Sequence, residues 1–334
     1  MSHDLPQTAL RLSTAPMMDW TDRHCLYLFR LILPDALLYT EMITSGAIFY
    51  GDRGRFLDFH ACRQPLALQL GGSDPAELAA AIQAAEAYDF AEYNLNCGCP
   101  SDRVQKGAFG ACLMANPQLV ADCVKAMQDQ SERPVTIKCR IGIDDAPEPG
   151  MLNDFVGTLR DAGIHRFIIH ARKAWLNGLS PKQNRTIPPL RYDLVTNLKR
   201  LFPELTIIIN GGITQPAQAV DFIEAGLDGV MLGRHAYDQP MSLLAFADAL
   251  TPNARRGLTL DQVLAAMAEY AETVMGTHNI ALGNITRHML GLAHGRPGAR
   301  RFRRLLGEEA RARTATPDLI RQAAQLIGAF DQAA

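Results

Sequence analysis

LTIIINGGITQPAQAVDFIEAGLDGVMLGR, residues 205–234, holds two short apolar runs, each closed by glycine, with one helical pattern between them. Leu205–Asn210 and Gly229–Gly233 are nearly continuous in apolar content rather than alternating, as strands buried on both faces of a parallel sheet must be. Between them Gln215–Ala225 opens after Thr214 with proline at its first turn, a helix-start signal. Upstream, Leu12–Pro16, Ala36–Thr40, Pro65–Leu70, Phe90–Asn96, Val135–Arg140 and Arg166–His170 repeat the strand pattern, making eight runs. Pro75–Ala87, with Leu78 and Ile82 four apart, and Pro117–Gln128, led in by Asn116, are helical patterns lying between them. Eight strand–helix alternations predict an α/β fold, a (β/α)8 TIM barrel.

A doubly wound sheet is the competing architecture. It needs fewer strands and usually a glycine-rich turn after the first, whereas Leu12–Pro16 runs on into Met-Asp-Trp, and the chain has neither G-x-G-x-x-G nor G-x-x-x-x-G-K-[ST]. Past Tyr237 the alternation stops. Leu258–Met275, Asn279–Leu292, Pro297–Arg313 and Pro317–Phe330 all read with helical period. The organisation expected is therefore a barrel domain over residues 1–250 and an all-helical domain over 251–334, joined at the turn-rich Thr251–Gly257.

The chain has 334 residues, 48% hydrophobic and 20% charged, which is enough apolar matter for a large core and rules out wholesale disorder. No apolar run approaches the length of a membrane span, and the N-terminus has no secretory pattern, so a cytoplasmic protein without membrane contact is expected. Seven cysteines lack framework or zinc spacing and read as reduced thiols, so no metal site is expected. Nothing calls for an obligate protein partner. The net charge of −2 conceals ten arginines and no lysine, against five acids, between residues 255 and 313. Such a basic segment on a near-neutral chain suits a polyanion as well as it suits a solvated helix face.

In a barrel the chemistry sits where the strands end. The closing residues are Pro16, Met17 and Met18 after the first run, Gln69 in the third, and Asn96 leading into Gly-Cys99-Pro-Ser after the fourth. Lys138 and Arg140 alternate on the fifth, His170 and Arg172 close the sixth, Asn210-Gly211-Gly212 the seventh, and Gly233-Arg234 the eighth. Glycine turns after the last two strands leave backbone N–H groups free to surround a phosphate, and Arg234 adds charge. A cofactor phosphate held there would bring the rest of the cofactor over Gln69, Lys138 and His170, with Lys138 suited to an electron-rich flavin ring. Cys99, near cationic side chains, is a candidate to give or take a proton, while Cys25, Cys62, Cys112, Cys123 and Cys139 are expected to be buried small hydrophobes. Asp102–Gly110 reads as a loop able to close over substrate. HARKAWLNGLSPKQNR, residues 170–185, interleaves Arg172, Lys173, Lys182, Arg185 and a protonated His170 with one Trp, a pattern fit to follow a nucleic-acid backbone. Arg300, Arg303, Arg304 and Arg311 fall on one helical face, with Arg301 off it.

Pro16–Cys25 (PMMDWTDRHC), NLNCGCPSDRVQKGAFGACLM at 94–114, IKCRIGID at 137–144, the 170–185 segment, INGGI and MLGR closely resemble the tRNA-dihydrouridine synthases. SPKQNR resembles the A subfamily in particular, and the likeness runs from about Leu12 to the arginine-rich helix. Cys97 departs from it, where valine or another small apolar residue is expected. The resemblance implies FMN-dependent reduction of uridine in the D-loop of tRNA, at positions 20 and 20a, with NADPH supplying the hydride. It implies that Pro16, Met17, Met18, Gln69, Lys138, His170, Asn210, Gly211, Gly212, Gly233 and Arg234 hold FMN. Cys99 would protonate C5 of the uracil once hydride reaches C6, with Asn96, Arg140 and Arg172 orienting the base. Competing readings are a flavin oxidoreductase of a free pyrimidine, of the dihydroorotate or dihydropyrimidine type, and a non-catalytic RNA-binding protein; neither NADPH over NADH nor an oligomeric state is legible.

Overall fold

The structure is a computed structural model and describes residues 5–59, 61–62, 64–101, 104, 107–278 and 280–328. Its strands are β1 (Leu12–Thr14), β2 (Leu37–Tyr39), β3 (Ile43–Thr44), β4 (Leu66–Gly71), β5 (Glu92–Cys97), β6 (Val135–Arg140), β7 (Arg166–His170), β8 (Thr206–Asn210) and β9 (Gly229–Leu232). Every pairing is parallel. The order β2-β1-β9-β8-β7-β6-β5-β4 closes on itself through β2–β4, and the short β3 extends β4 at its C-terminal end. This is the eight-stranded TIM barrel the alternation predicts. β3 is the one strand not anticipated; two residues are too few to leave a periodic signal.

Helices cover the outside. Asp74 and Asn116 cap Pro75–Ala85 and Pro117–Gln128 through their side chains, and each helix begins on proline, whose missing N–H costs nothing at that position. Their apolar faces join the outward side chains of the strands in one continuous core. The barrel's interior is different. A small apolar cluster (Leu37, Tyr39, Ala67, Ile168, Ile208 and Met231 among it) shares the space with polar groups. Glu92, fully buried on β5, is paired with Arg166 of β7 and accepts from Tyr39 Oη at 2.6 Å and Thr136 Oγ1 at 2.7 Å. The nearly continuous apolar content expected of the strand over Phe90–Asn96 is thus corrected: Glu92, Asn94 and Asn96 alternate inward, and burial is tolerated because each polar atom is satisfied.

In the helical C-terminal region Leu260–His278 is shifted a few residues downstream of the expected helix, and Leu282–Thr286, Ala299–Gly307 and Asp318–Gln325 are shorter than the sequence pattern suggests. Asn279 and Phe330, expected within helices, lie outside the described residues. Ala299–Gly307 ends well before Arg313, and Glu309–Arg311 is a separate 3-10 turn. Arg311 therefore does not continue the stripe. Arg301 does belong to it: Ala299, Phe302, Leu305 and Leu306 are the buried face, leaving Arg300, Arg301, Arg303 and Arg304 all exposed opposite.

This region is clamped to the barrel. Tyr270 stacks on Tyr27 at 4.0 Å between centroids and hydrogen-bonds His24 Nδ1 at 2.8 Å. Asp22 caps helix Arg23–Ile32 by accepting from the N–H groups of His24 and Cys25, and also meets Arg287 at 2.6 Å and His288 at 3.1 Å. Burial would raise the Asp22 carboxyl, yet the hydrogen bond and charge of His288 hold it well below the usual carboxylate range. No described helix is long and apolar enough to cross a membrane.

Because Arg166 keeps its charge when its partner is removed, Glu92→Ala is expected to cost about 3–5 kcal/mol in denaturant unfolding. The double variant Glu92→Gln/Arg166→Met is expected to cost less than that single one.

Candidate active site

The C-terminal ends of the strands surround a cavity of about 810 Å³, within the roughly 300–1,000 Å³ typical of ligand clefts. Pro16, Met17, Met18, Gln69, Asn96, Cys99, Lys138, Arg140, His170, Arg185, Asn210, Gly211, Gly212, Gly233 and Arg234 line it. Arg172, Lys182, Arg300, Arg303 and Arg304 do not. Arg172 instead donates to the carbonyls of Thr186 and Pro188, bracing the loop, and Lys182 is exposed on that loop. Asp102, Arg103, Gln105 and Lys106 of the expected closing loop lie outside the described residues.

A chain of side-chain hydrogen bonds rises through the barrel to Cys99. Thr136 Oγ1 donates to Glu92 and so accepts from Asn94 Nδ2 at 2.8 Å. Asn94 Oδ1 accepts from Gln69 Nε2 at 2.7 Å, and Gln69 Oε1 from Asn96 Nδ2 at 2.8 Å. Asn96 Oδ1 then accepts the N–H groups of Gly98 and Cys99 at 3.0 and 2.9 Å. A carboxylate can only accept, so the direction of every link is fixed from its lower end. Gln69 and Asn96 were expected to touch cofactor and base; both ends of each amide are engaged within this chain, which turns them toward supporting the Cys99 turn. Arg140 supports it from the other side, donating from Nε to Gly98 O at 2.8 Å and from Nη1 to the carbonyls of Lys173 and Asn184. The Cys99 thiol lies 3.6 Å from Ser101 Oγ and is partly exposed. Cys25, Cys62, Cys97, Cys123 and Cys139 are buried, while Cys112 is only half-buried, a departure from expectation.

Across the mouth the residues are cationic. Lys138 Nζ donates to Asn210 Oδ1 at 3.1 Å, and Asn210 Nδ2 in turn donates to Met231 O. Arg234 reaches the carbonyl of Arg185 at 3.0 Å. Among the described residues Lys138, Arg140, Arg185 and Arg234 form no ion pair with a carboxylate. Burial, reinforced by Arg140, pushes the Lys138 amine down to about 8. Burial and the same cations push His170 well below the ordinary imidazole value. His170 is therefore neutral, which corrects its expected place among the basic side chains of the 170–185 loop. Nor does any described group of three His, Cys, Asp or Glu stand ready for a metal.

The glycine turn beside these cations is obligatory. Gly211 and Gly212 have φ of +121° and +68°, and a Cβ on Gly211 would fall 2.7 Å from His170 Cδ2. Tyr192 Oη locks the turn by donating to Gly211 O at 2.6 Å. Cations lacking a carboxylate partner, Arg140 buried and Lys138 half-buried among them, beside a left-handed glycine turn fit an anionic phosphate-bearing cofactor. The polar chain through Glu92 and the Trp20–Tyr237 pair were both missed in the sequence. Only the inward alternation Glu92, Asn94, Asn96 signals the first.

Fold and site together define a (β/α)8-barrel enzyme whose cavity joins a cationic, glycine-lined rim to a thiol at its mouth. The chain belongs to the dihydrouridine synthase family, whose model matches residues 13–327. That family consists of flavin-dependent oxidoreductases. The chain is 52% identical to the tRNA-dihydrouridine(20/20a) synthase of Escherichia coli (strain K12) over 320 residues, covering 95% of this chain and 91% of that protein. It is 50% identical to the enzyme of the same name from Xanthomonas campestris pv. campestris over 317 residues, 95% and 93% of the two chains. Morphinone reductase shares the barrel, at a TM-score of 0.52 and 12% identity over 77% of this chain and 92% of that one.

In the ligand-free protein the ordinary Lys138 value of 10.5 returns on unfolding, so the unfolded chain binds more protons between pH 8 and 10.5. The folded state thus bears the full penalty below pH 8 and is relieved of it as pH rises. Lys138→Met is expected to raise Tm relative to the native protein at pH 7.5, an advantage that shrinks by pH 10; a constant difference in thermal melts would refute the assignment.

Proposed function

We propose that this chain reduces uridine to 5,6-dihydrouridine in the D-loop of tRNA at positions 20 and 20a, in the cytoplasm, with FMN as its flavin and NADPH as reductant. The observation that carries the reading is the meeting, in one cavity of a dihydrouridine synthase, of the Cys99 thiol with the cationic glycine-lined rim. The names of its relatives support the tRNA positions.

FMN, when bound, supplies the hydride that C6 of the uracil receives. Gly211, Gly212, Gly233 and Arg234 would hold its phosphate, and Pro16, Met17, Met18, Lys138 and His170 would line its ring. Lys138 gives positive charge and His170, being neutral, offers an imidazole nitrogen without further repulsion. Cys99 gives its thiol proton to C5, completing the addition of two hydrogens, and is reprotonated from solvent. Asn96 and Arg140 act through it, by holding the turn that carries Cys99. We further propose that residues 251–334 form a tRNA-binding domain, with Arg300, Arg303 and Arg304 contacting phosphates, and that Arg172, Lys182 and Arg185 belong to a loop beside the bound RNA. A base must leave its stack to enter the cavity, and phosphate contacts offset that cost.

Cys99→Ala is expected to lower turnover on transcribed tRNA about 10²–10⁴-fold with flavin content unchanged. Free uracil reduced as fast as tRNA would favour the free-pyrimidine reading instead. Arg300→Ala is expected to weaken binding of all tRNAs alike and to lower the slope of log affinity against log salt by about one. An unaltered slope in a filter-binding titration would return that helix to solvent.

A further inference from the structure

Trp20 is an aromatic side chain to which the proposed reaction assigns no part. It lies in the turn after β1, and it lines the cavity. Its indole stacks on Tyr237 at 4.4 Å between centroids and 20° between planes. Trp20 lines the cavity and Tyr237 does not, so Tyr237 backs the indole from outside the lining.

The turn is held rigid at several points. Met17 O accepts the N–H groups of Trp20 and Thr21 at 3.0 and 2.9 Å. Asp19 has a φ of +63° and donates its N–H to Glu41 at 2.8 Å. Behind the stack, Tyr237 Oη lies 3.1 Å from His288 Nδ1, and His288 Nε2 lies 3.1 Å from Asp22. The indole is therefore backed by a residue that the helical region itself holds in place. A rigid aromatic face, pre-set by several contacts, loses little entropy when a second ring settles on it.

Strand order says which ring that is. Around the closed sheet β1 lies three strands from β5, whose end carries Cys99, and directly beside β9, whose end carries Gly233 and Arg234. A base presented to the Cys99 thiol is thus on another side of the mouth from Trp20. The indole lies instead on the side of the rim where Tyr237 meets His288 of the helical region.

We infer that Trp20, backed by Tyr237, is a stacking shelf for a tRNA base that neighbours the target uridine, engaged as the target is drawn into the cavity. The inference rests on the tRNA reading given above. Stacking accepts any base, so the shelf would hold the strand open without choosing a sequence.

The test is steady-state and half-reaction kinetics on the flavin-loaded protein with Trp20→Leu and Trp20→Phe. Trp20→Leu is expected to raise KM for transcribed tRNA about 5- to 100-fold, with flavin content and the rate of flavin reduction by NADPH within about twofold of native. Trp20→Phe is expected to recover most of the loss, because it keeps a ring. Tyr237→Leu, which removes the backing and its hydrogen bond to His288 but leaves the indole, is expected to give a smaller rise of the same kind. An unchanged KM in Trp20→Leu would overturn the inference. So would a loss that falls on flavin reduction by NADPH, which would make the indole a nicotinamide shelf, or a Phe variant as impaired as Leu. A native protein that reduces free uracil but no tRNA would sink the underlying reading rather than the shelf alone.

Discussion

A single ionised carboxylate inside the barrel, Glu92, dictates the arrangement above it. Buried and acceptor-only, it must be met by donors, and Arg166, Tyr39 and Thr136 meet it. Thr136 has one proton and spends it there, so Asn94 must turn its amide nitrogen to Thr136, and the same constraint passes to Gln69 and Asn96. The far end of this chain is the pair of backbone N–H groups that fixes the Cys99 turn. Hydrogen bonds all pointing one way polarise one another, so the position of the thiol is tied to a charge several layers below it.

The mouth, by contrast with that paired anion, holds an excess of cations. Lys138, Arg140, Arg185 and Arg234 gather there without carboxylate partners among the described residues, and burial, with their mutual repulsion added, depresses the basicity of Lys138 and His170. Such strain is tolerable when binding an anion relieves it, as at many functional sites. Gly211 and Gly212 line the same mouth, and their left-handed backbone packs so closely on His170 and Leu190 that neither position has room for a side chain.

The helical region takes part in the site through few contacts. Asp22 caps a barrel helix and also binds Arg287 and His288, so one side chain joins the loop after β1 to the far region. Through His288 and Tyr237 that junction reaches Trp20 at the cavity wall. A continuous hydrophobic core, with Tyr27 stacked on Tyr270, makes this a fixed junction rather than a loose tether.

The barrel was legible in the sequence because a parallel strand buried on both faces leaves a short, nearly continuous apolar run, and eight such runs alternating with helices admit few folds. The residues that end those strands could be named for the same reason: in this fold, position along a strand is position relative to the mouth. The roles of Gln69, Asn96, Arg140 and Arg172 were not legible, because a sequence cannot say which partner an amide or guanidinium takes when a backbone carbonyl is equally near. The boundaries of the arginine helix and the exposed face shared by Arg301 likewise depended on where the chain turned at Gly307. His170 reads as a base until packing removes its water. Trp20 and Tyr237 are 217 positions apart in the chain and share no pattern; only closure of the sheet, which sets β1 beside β9, brings them face to face.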